Sequence, residues 1–312
     1  MIVVIGGVLA IILPTRLPDA APSTAARPYT IGNVRYCIGI QPPFLKDLGF
    51  SQRIALDTRA KYVKGAMVRE FDQAGNVSRS YQDPSWTSAG YLGAYTSDQV
   101  GNIYLAPMPF ISILDNPPDK ANIIYQIDSL TGMMAPLIDL PAGAPLPPEA
   151  VYGLMDLVYD CDTNSLYAAS VLGSTYDQVA GRIFQIDLTT HQVVATLDGV
   201  DAFSLDVFNS ANGKQLYIGS ARVPEIYSIP LDEKGHFSGD IRPVLSLEDK
   251  GFHRDERARG LMFQGQDRLI VTMLQFDFNL VASTETLTTV YEYGYNAQDD
   301  SWNVLNSYVT NE

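Results

Sequence analysis

Met155–Ser170 (MDLVYDCDTNSLYAAS) and Leu205–Ser220 (LDVFNSANGKQLYIGS) align without a gap, placing Asp156 on Asp206, Tyr167 on Tyr217 and Ser170 on Ser220. Each stretch is an apolar run, a short polar turn and a second apolar run. The turns, Asp160-Cys161-Asp162-Thr163-Asn164 and Ser210-Ala211-Asn212-Gly213-Lys214, hold the Asp, Asn and Gly residues that reverse a chain between two strands. Both stretches therefore read as β-hairpins.

The second arm of that hairpin recurs elsewhere, as Ile103-Tyr104-Leu105-Ala106 and Leu269-Ile270-Val271-Thr272. Each copy is followed by another strand-like run: Ile124–Asp128, Ile183–Asp187, Ile226–Ile229 and Val290–Tyr293. Repetition at roughly 50 to 60 residues, built from strand-like units alone, predicts an all-β fold, a single β-propeller. Four-stranded units are expected at Gly90–Ile138, Tyr152–Leu197, Phe203–Leu247 and Gly260–Val309. A partial first unit runs through Arg53–Asp57, Ala66–Asp72 and Val77–Tyr81. Val34–Ile40 either completes that unit or closes the ring, giving five blades, and splitting the N-terminal segment instead gives six. The rival architecture is a two-sheet β-sandwich.

A formal charge of −14 and a hydrophobic content of 46% describe an acidic chain with ample core. Nucleic acid and anionic membrane surfaces would repel it. Ile2–Leu13 is uninterrupted apolar residues and Gly, a length that suits a signal peptide or a short membrane anchor at 1–13. The Pro/Ala-rich stretch at 14–28 reads as a semi-rigid linker, and the propeller domain is expected over 29–312. Membrane contact would then run through the N-terminal segment only, and the domain would be extracytoplasmic, at the cell surface or in a periplasm. In such a compartment Cys37 and Cys161, the only cysteines, are candidate disulfide partners, against two unrelated small residues. Two cysteines with three scattered histidines make no zinc site of recognised spacing.

Leu166–Ser170, Arg182–Thr190 and Val193–Val200 together resemble the YVTN-type β-propeller repeat, a family similar in turn to NHL and lactonase-type propellers. The resemblance implies a site on the face formed by the loops from second to third strand and from last strand to the next blade. Long insertions fall there at Met108–Ala121, Ser170–Gly181, Gln275–Leu287, Gln82–Ala89, Pro141–Ala150 and Glu248–Arg259. The residues expected to meet a protein partner or small polar ligand are Trp86, Phe110, Glu149, Tyr176, Arg222, His253, Arg254, Arg259, Phe276 and Phe278. The leading function is a binding or scaffold module.

The alternative is a lactonase-type hydrolase, which the resemblance implies would hold a divalent cation in the central channel. Asp156 and Asp206, at corresponding positions of adjacent units, are the candidate Ca²⁺ ligands or acid/base pair. Against that, each caps a neighbouring backbone amide. Asp160, Asp162 and Asn164 match the opening of a calcium loop, but Ser165 and Val171 stand where Gly and a bidentate Glu are wanted, so an ordinary hairpin turn is expected.

Overall fold

The strands of the first blade are short, Ile54–Asp57 (β2), Met67–Phe71 (β3) and Val77–Tyr81 (β4), and pair as a three-stranded antiparallel meander. These coordinates are a computed structural model, which describes residues 30–58, 63–108, 112–248, 250–251, 255–279 and 287–311. The second blade is Leu92–Ser97 (β5), Ile103–Pro107 (β6), Ile123–Ile127 (β7) and Met134–Asp139 (β8). The third is Leu154–Asp160 (β9), Ser165–Ser170 (β10), Arg182–Asp187 (β11) and Gln192–Asp198 (β12). The fourth is Ala202–Ser210 (β13), Gly213–Ser220 (β14), Glu225–Pro230 (β15) and Arg242–Ser246 (β16). The fifth is Glu256–Gln264 (β17), Arg268–Gln275 (β18), Leu287–Asn296 (β19) and Ser301–Asn311 (β20). The fold is a five-bladed β-propeller, and residues 31–312 form one compact unit. No helix among the described residues is long and apolar enough to cross a membrane. The segments 1–13 and 14–28 lie outside the described residues.

Polar chemistry makes the turns. Asp72, Asp98, Asp128, Asp160, Asp187 and Asp232 each accept, on one carboxylate oxygen, a backbone N–H two to four residues ahead. Such local bonds fix a reversal without help from the rest of the chain. The amides of Asn76, Thr131 and Thr189 hold the carboxyls of Asp72, Asp128 and Asp187 below the usual carboxylate range.

Apolar residues fill the spaces between blades. Tyr104, Ile124, Leu157 and Phe184 pack blade two on blade three, and Val158, Tyr167, Leu205 and Ile218 pack three on four. Phe208, Tyr217, Phe263 and Trp302 pack four on five. Tyr104, Tyr167 and Tyr217 hold matching places, each in the second strand opposite a third-strand polar residue: Gln126, Gln185 and Ser228. All three are buried, and burial raises each phenol well above its ordinary value.

The segment before blade one behaves differently from expectation. Val34–Ile40 is not the first blade's inner strand, because that blade has three strands. Instead Gly32–Asn33 (β1) adds to β13, with Gly32 opposite Asn209. Gly32 takes φ 140°, and a Cβ there would meet the Gly265 carbonyl at 2.9 Å, so only glycine fits. From there the chain crosses the short-turn face backwards through the blades. Asn33 N–H donates to Gly265 O of blade five (2.9 Å), and Val34 O accepts from Cys161 of blade three (3.2 Å). Cys37 and Cys161 are disulfide-bonded, with Cα atoms 5.9 Å apart. The helix Pro43–Asp47 (α1) follows, Phe44 N–H donating to Ser129 O of blade two (3.1 Å). Finally Leu48 O accepts from Arg79 (2.9 Å) and Ser51 N–H donates to Glu70 (2.7 Å), both of blade one. This strap touches all five blades, running from the fourth and fifth back to the first.

Trp86, expected on the ligand face, is in the core instead. Asp83 caps the 3₁₀ helix Pro84–Ala89 through Ser85 N–H, which turns the indole inward. Its N–H donates to Gly132 O (2.8 Å), and its ring meets Phe44 and Tyr81 edge-on.

Candidate functional site

The hairpins within each blade open onto the face the strap crosses, so the remaining connections all open onto the opposite face. There the inner strands break register: between Leu92 and Tyr95 in β5, around Met155 in β9, at Phe203 in β13 and at Arg259 in β17. Such a bulge re-aims the extra side chain. Met155 and Phe203 join Val171, Ala221 and Phe278 in one buried cluster, with Tyr152 and Phe276 packed against it. Phe276 lies 4.6 Å from Phe203, 5.1 Å from Tyr152 and 4.8 Å from Phe278, centroid to centroid. Arg259 stands 5.2 Å over Phe203, and Arg222 lies 4.0 Å over Phe278. The rings thus form one packed cluster, with guanidinium groups laid on them.

Arg222 is also a tie between loops. Its Nε meets Asp201 (2.5 Å), and its two remaining nitrogens donate to the carbonyls of Tyr176 and Gln178. Asp201 is buried, and its other oxygen accepts from Ser174 Oγ (2.5 Å) and Gly181 N–H (2.9 Å). The loop between β10 and β11 is therefore fixed from blade four, leaving Tyr176 72% exposed. The loop between β6 and β7 is fixed in the same manner. Buried Asn116 accepts from Tyr91 N–H (2.8 Å) and donates to the carbonyls of Ala89 (3.1 Å) and Tyr91 (2.9 Å). Lys64 pairs with Asp115 (2.5 Å), and Leu114 beside them is 91% exposed.

Of the residues expected on this face, Tyr176, Arg222, Arg259, Phe276 and Phe278 come together, although Phe278 is largely buried. Glu149 is exposed on the connection between blades two and three. Phe110, His253 and Arg254 lie outside the described residues. Sequence reasoning missed Asp201, Asn116, Tyr152, Phe203 and Leu114. The legible sign was position, because Asp201, Asn116, Tyr152 and Leu114 sit in the connections between second and third strands or between blades, while Phe203 is the bulged residue of β13.

Asp156 and Asp206 clip adjacent blades. Asp156 accepts from its neighbour Leu157 N–H (2.9 Å) and from Leu205 N–H on the next inner strand (2.8 Å). Asp206 does the same with Val207 (2.9 Å) and Phe263 (2.8 Å), and also meets Arg35 of the strap at 3.3 Å. Both oxygens of each carboxylate are thereby engaged with backbone. Among the described residues, no group of three or more His, Cys, Asp or Glu side chains gathers as a metal ion needs. The calcium-loop-like turn carries its own cation: Lys214 Nζ contacts Asp160 (2.7 Å) and Asp162 (2.8 Å).

Burial lifts the carboxyl of Asp206 to about 6, against the pull of Arg35 and two backbone amides. Burial raises Asp156 too, although part of that residue stays at the surface. An acid with a raised folded pKa binds more protons folded than unfolded between the two values. Asp206 therefore takes stability away as pH rises from about 4 to about 6. On acidification from pH 7 to 5 the wild type should gain melting temperature relative to Asp206→Asn. Parallel curves for the two proteins would refute this assignment.

No protein-family model matches the chain, and no curated protein matches it. Among solved structures, it is similar to a protein from Lactobacillus plantarum at 11% identity and a TM-score of 0.46, covering 83% of this chain and 82% of that one. It is similar to the periplasmic gluconolactonase of Pseudomonas aeruginosa at 14% identity and TM-score 0.43, covering 83% of both chains. A hypothetical selenium-binding protein from Sulfolobus tokodaii gives 10% identity and TM-score 0.44, covering 80% of this chain and 74% of that one. These likenesses concern the propeller fold alone.

Proposed function

We propose that the chain is an exported binding module whose loop-rich face docks a protein partner. The observation that carries this reading is the pair of apolar tips at Leu114 and Tyr176, the most exposed large hydrophobic side chains among the described residues. Each stands on a loop pinned by a buried polar anchor, Asn116 and Asp201. Exposed apolar side chains on preformed loops bind with little ordering cost, the arrangement a docking surface needs. The aromatic and arginine cluster on the same face has the residue types that dominate binding energy in protein interfaces. The Cys37–Cys161 bridge supports an oxidising compartment, and hence export. The channel carboxylates do not favour the hydrolase alternative, since their oxygens already hold backbone amides together.

Replacing both tips, Leu114→Asp with Tyr176→Asp, is expected to abolish specific capture of proteins by the tagged full chain while leaving its melting temperature unchanged. A wild-type chain that captures nothing specific, or a variant that captures the same proteins, would overturn the reading.

A further inference from the structure

The face crossed by the strap carries an apolar patch over blade two. Two hairpin tips and the strap build it. In the turn between β5 and β6, buried Asp98 accepts from the N–H groups of Val100 and Asn102. In the turn between β7 and β8, Asp128 accepts from those of Leu130 and Thr131. Each turn's carboxylate thus serves its own backbone, and the side chains left at the tips are Val100 (55% exposed), Leu130 (69%) and Met133 (62%). The two tips adjoin, because Ser129 N–H donates to Asn102 Oδ1 (2.9 Å). The strap lies against both: a Cβ on Gly101 would stand 3.2 Å from Pro42 Cα, and one on Gly132 would stand 2.7 Å from the Phe44 ring. Tyr36, Ile40 and Leu48 add exposed apolar surface along it. Such residues need no explanation singly, but gathered on two turns and one crossing segment they mark a contact surface. Elsewhere on this face the turns are polar, and two carry paired acids, Asp232-Glu233 and Asp299-Asp300.

We propose that this patch rests on a membrane of neutral lipids and so holds the propeller with its loop-rich face outward. The point where the chain enters the fold selects that occupant. Gly32–Asn33 runs antiparallel to β13, with Gly32 opposite Asn209 and Asn33 opposite Phe208, so Thr30 lies toward the turn between β13 and β14, on the strap face. The apolar run Ile2–Leu13 therefore joins the domain from the side that bears the patch. The proposal rests on the export reading above, with 1–13 kept as an anchor. At about 3.5 Å per residue the stretch 14–29 spans at most roughly 55 Å, which keeps the domain near the bilayer without choosing its orientation. The tips choose it, and a tethered domain needs only a weak added contact, because its local concentration at the surface is high. Charge selects the lipid. At a formal −14, with acidic turns on the same face, anionic headgroups repel the domain and neutral ones do not. Membrane contact then runs through the domain as well as the N-terminal segment.

The test mixes the full chain with phosphatidylcholine vesicles and follows one added tryptophan, the two native ones being buried. Leu130→Trp is expected to lose much of its emission to brominated phosphatidylcholine, while Val179→Trp on the loop-rich face keeps its own. Leu130→Asp with Met133→Asp, read through Val100→Trp, should abolish the quenching although the protein still floats with the vesicles. Replacing half of the lipid with phosphatidylglycerol should weaken it. A chain that floats while Leu130→Trp keeps its full emission overturns the proposal, leaving the anchor standing and the patch to a protein partner. A chain that does not float overturns the anchor and the proposal together. Emission from Leu130→Trp that shifts with protein concentration in the absence of lipid gives the patch to a second copy and overturns it as well. Quenching that rises with phosphatidylglycerol contradicts the choice of neutral lipid.

Discussion

Cys37→Ser is expected to cost about 4–5 kcal/mol of stability, the chain-entropy value for a crosslink closing a loop of this length. The bridge joins residues separated by 124 positions, and it fastens the strap to blade three at the middle of its path. Without it, the strap is held by the short β1–β13 pairing, the Arg35–Asp206 contact, single hydrogen bonds and the packing of α1, each of which can open locally. The loss corresponds to a fall in melting temperature on the order of 10 °C for a domain of this size. A reducing agent should produce the same fall in the wild type and none in the variant. Melting curves that coincide within a degree or two, with and without reductant, would show that the crosslink constrains nothing the fold does not already hold.

Lys214→Met is expected to be nearly as costly, about 3–5 kcal/mol, the range for removing one partner of a buried ion pair. The Lys214 ammonium contacts both oxygens of Asp160, at 2.8 and 2.7 Å, and Asp162 at 2.8 Å, and the Asp160 side chain is wholly buried. Burial works against ionised Asp162, yet Lys214, Asn209 and Tyr36 together hold its carboxyl below the ordinary range. The Tyr36 hydroxyl, which donates to Asp162, is pushed up to about 12, chiefly by that hydrogen bond. Deleting the ammonium leaves two carboxylates facing each other under the strap. Asp160→Asn added to Lys214→Met should restore part of the loss, since the enclosed charge leaves with its partner. Chemical denaturation of the three proteins checks this, and a single variant as stable as wild type would refute it.

The blades were legible because local chemistry makes them. The tyrosines at 104, 167 and 217 recur at matching places, and the aspartates that open six of the hairpins act within a few residues of themselves, so their pattern survives in the linear chain. The ungapped match of Asp156 with Asp206 was legible too, but it is not a match of register. Asp156 lies opposite Ala169 and Asp206 opposite Tyr217, because the hairpin closing at Asp160 and Ser165 is longer than the one closing at Ser210 and Gly213. Trp86 was misread because its loop position suggests a rim, whereas the Asp83 cap and the Gly132 carbonyl decide where the ring goes. Apart from its Cys37–Cys161 tie, the strap was invisible for a related reason. Its other partners, Gly265, Ser129 and Arg79, are distant in sequence and carry no periodic mark. The loop-rich face was half legible, since long loops announce it but the anchors Asn116 and Asp201 are single residues defined by what they meet.

Hydrogen exchange followed peptide by peptide on the oxidised full chain tests most directly the claim that five radial sheets are bound by a strap running back across them. The central strands β6, β10, β14 and β18 should be protected to similar extents, with residues 32–50 protected beside them, and reduction should release 32–50 first. Rapid exchange of 32–50 in the oxidised protein, or one of the four central strands exchanging freely, would contradict it.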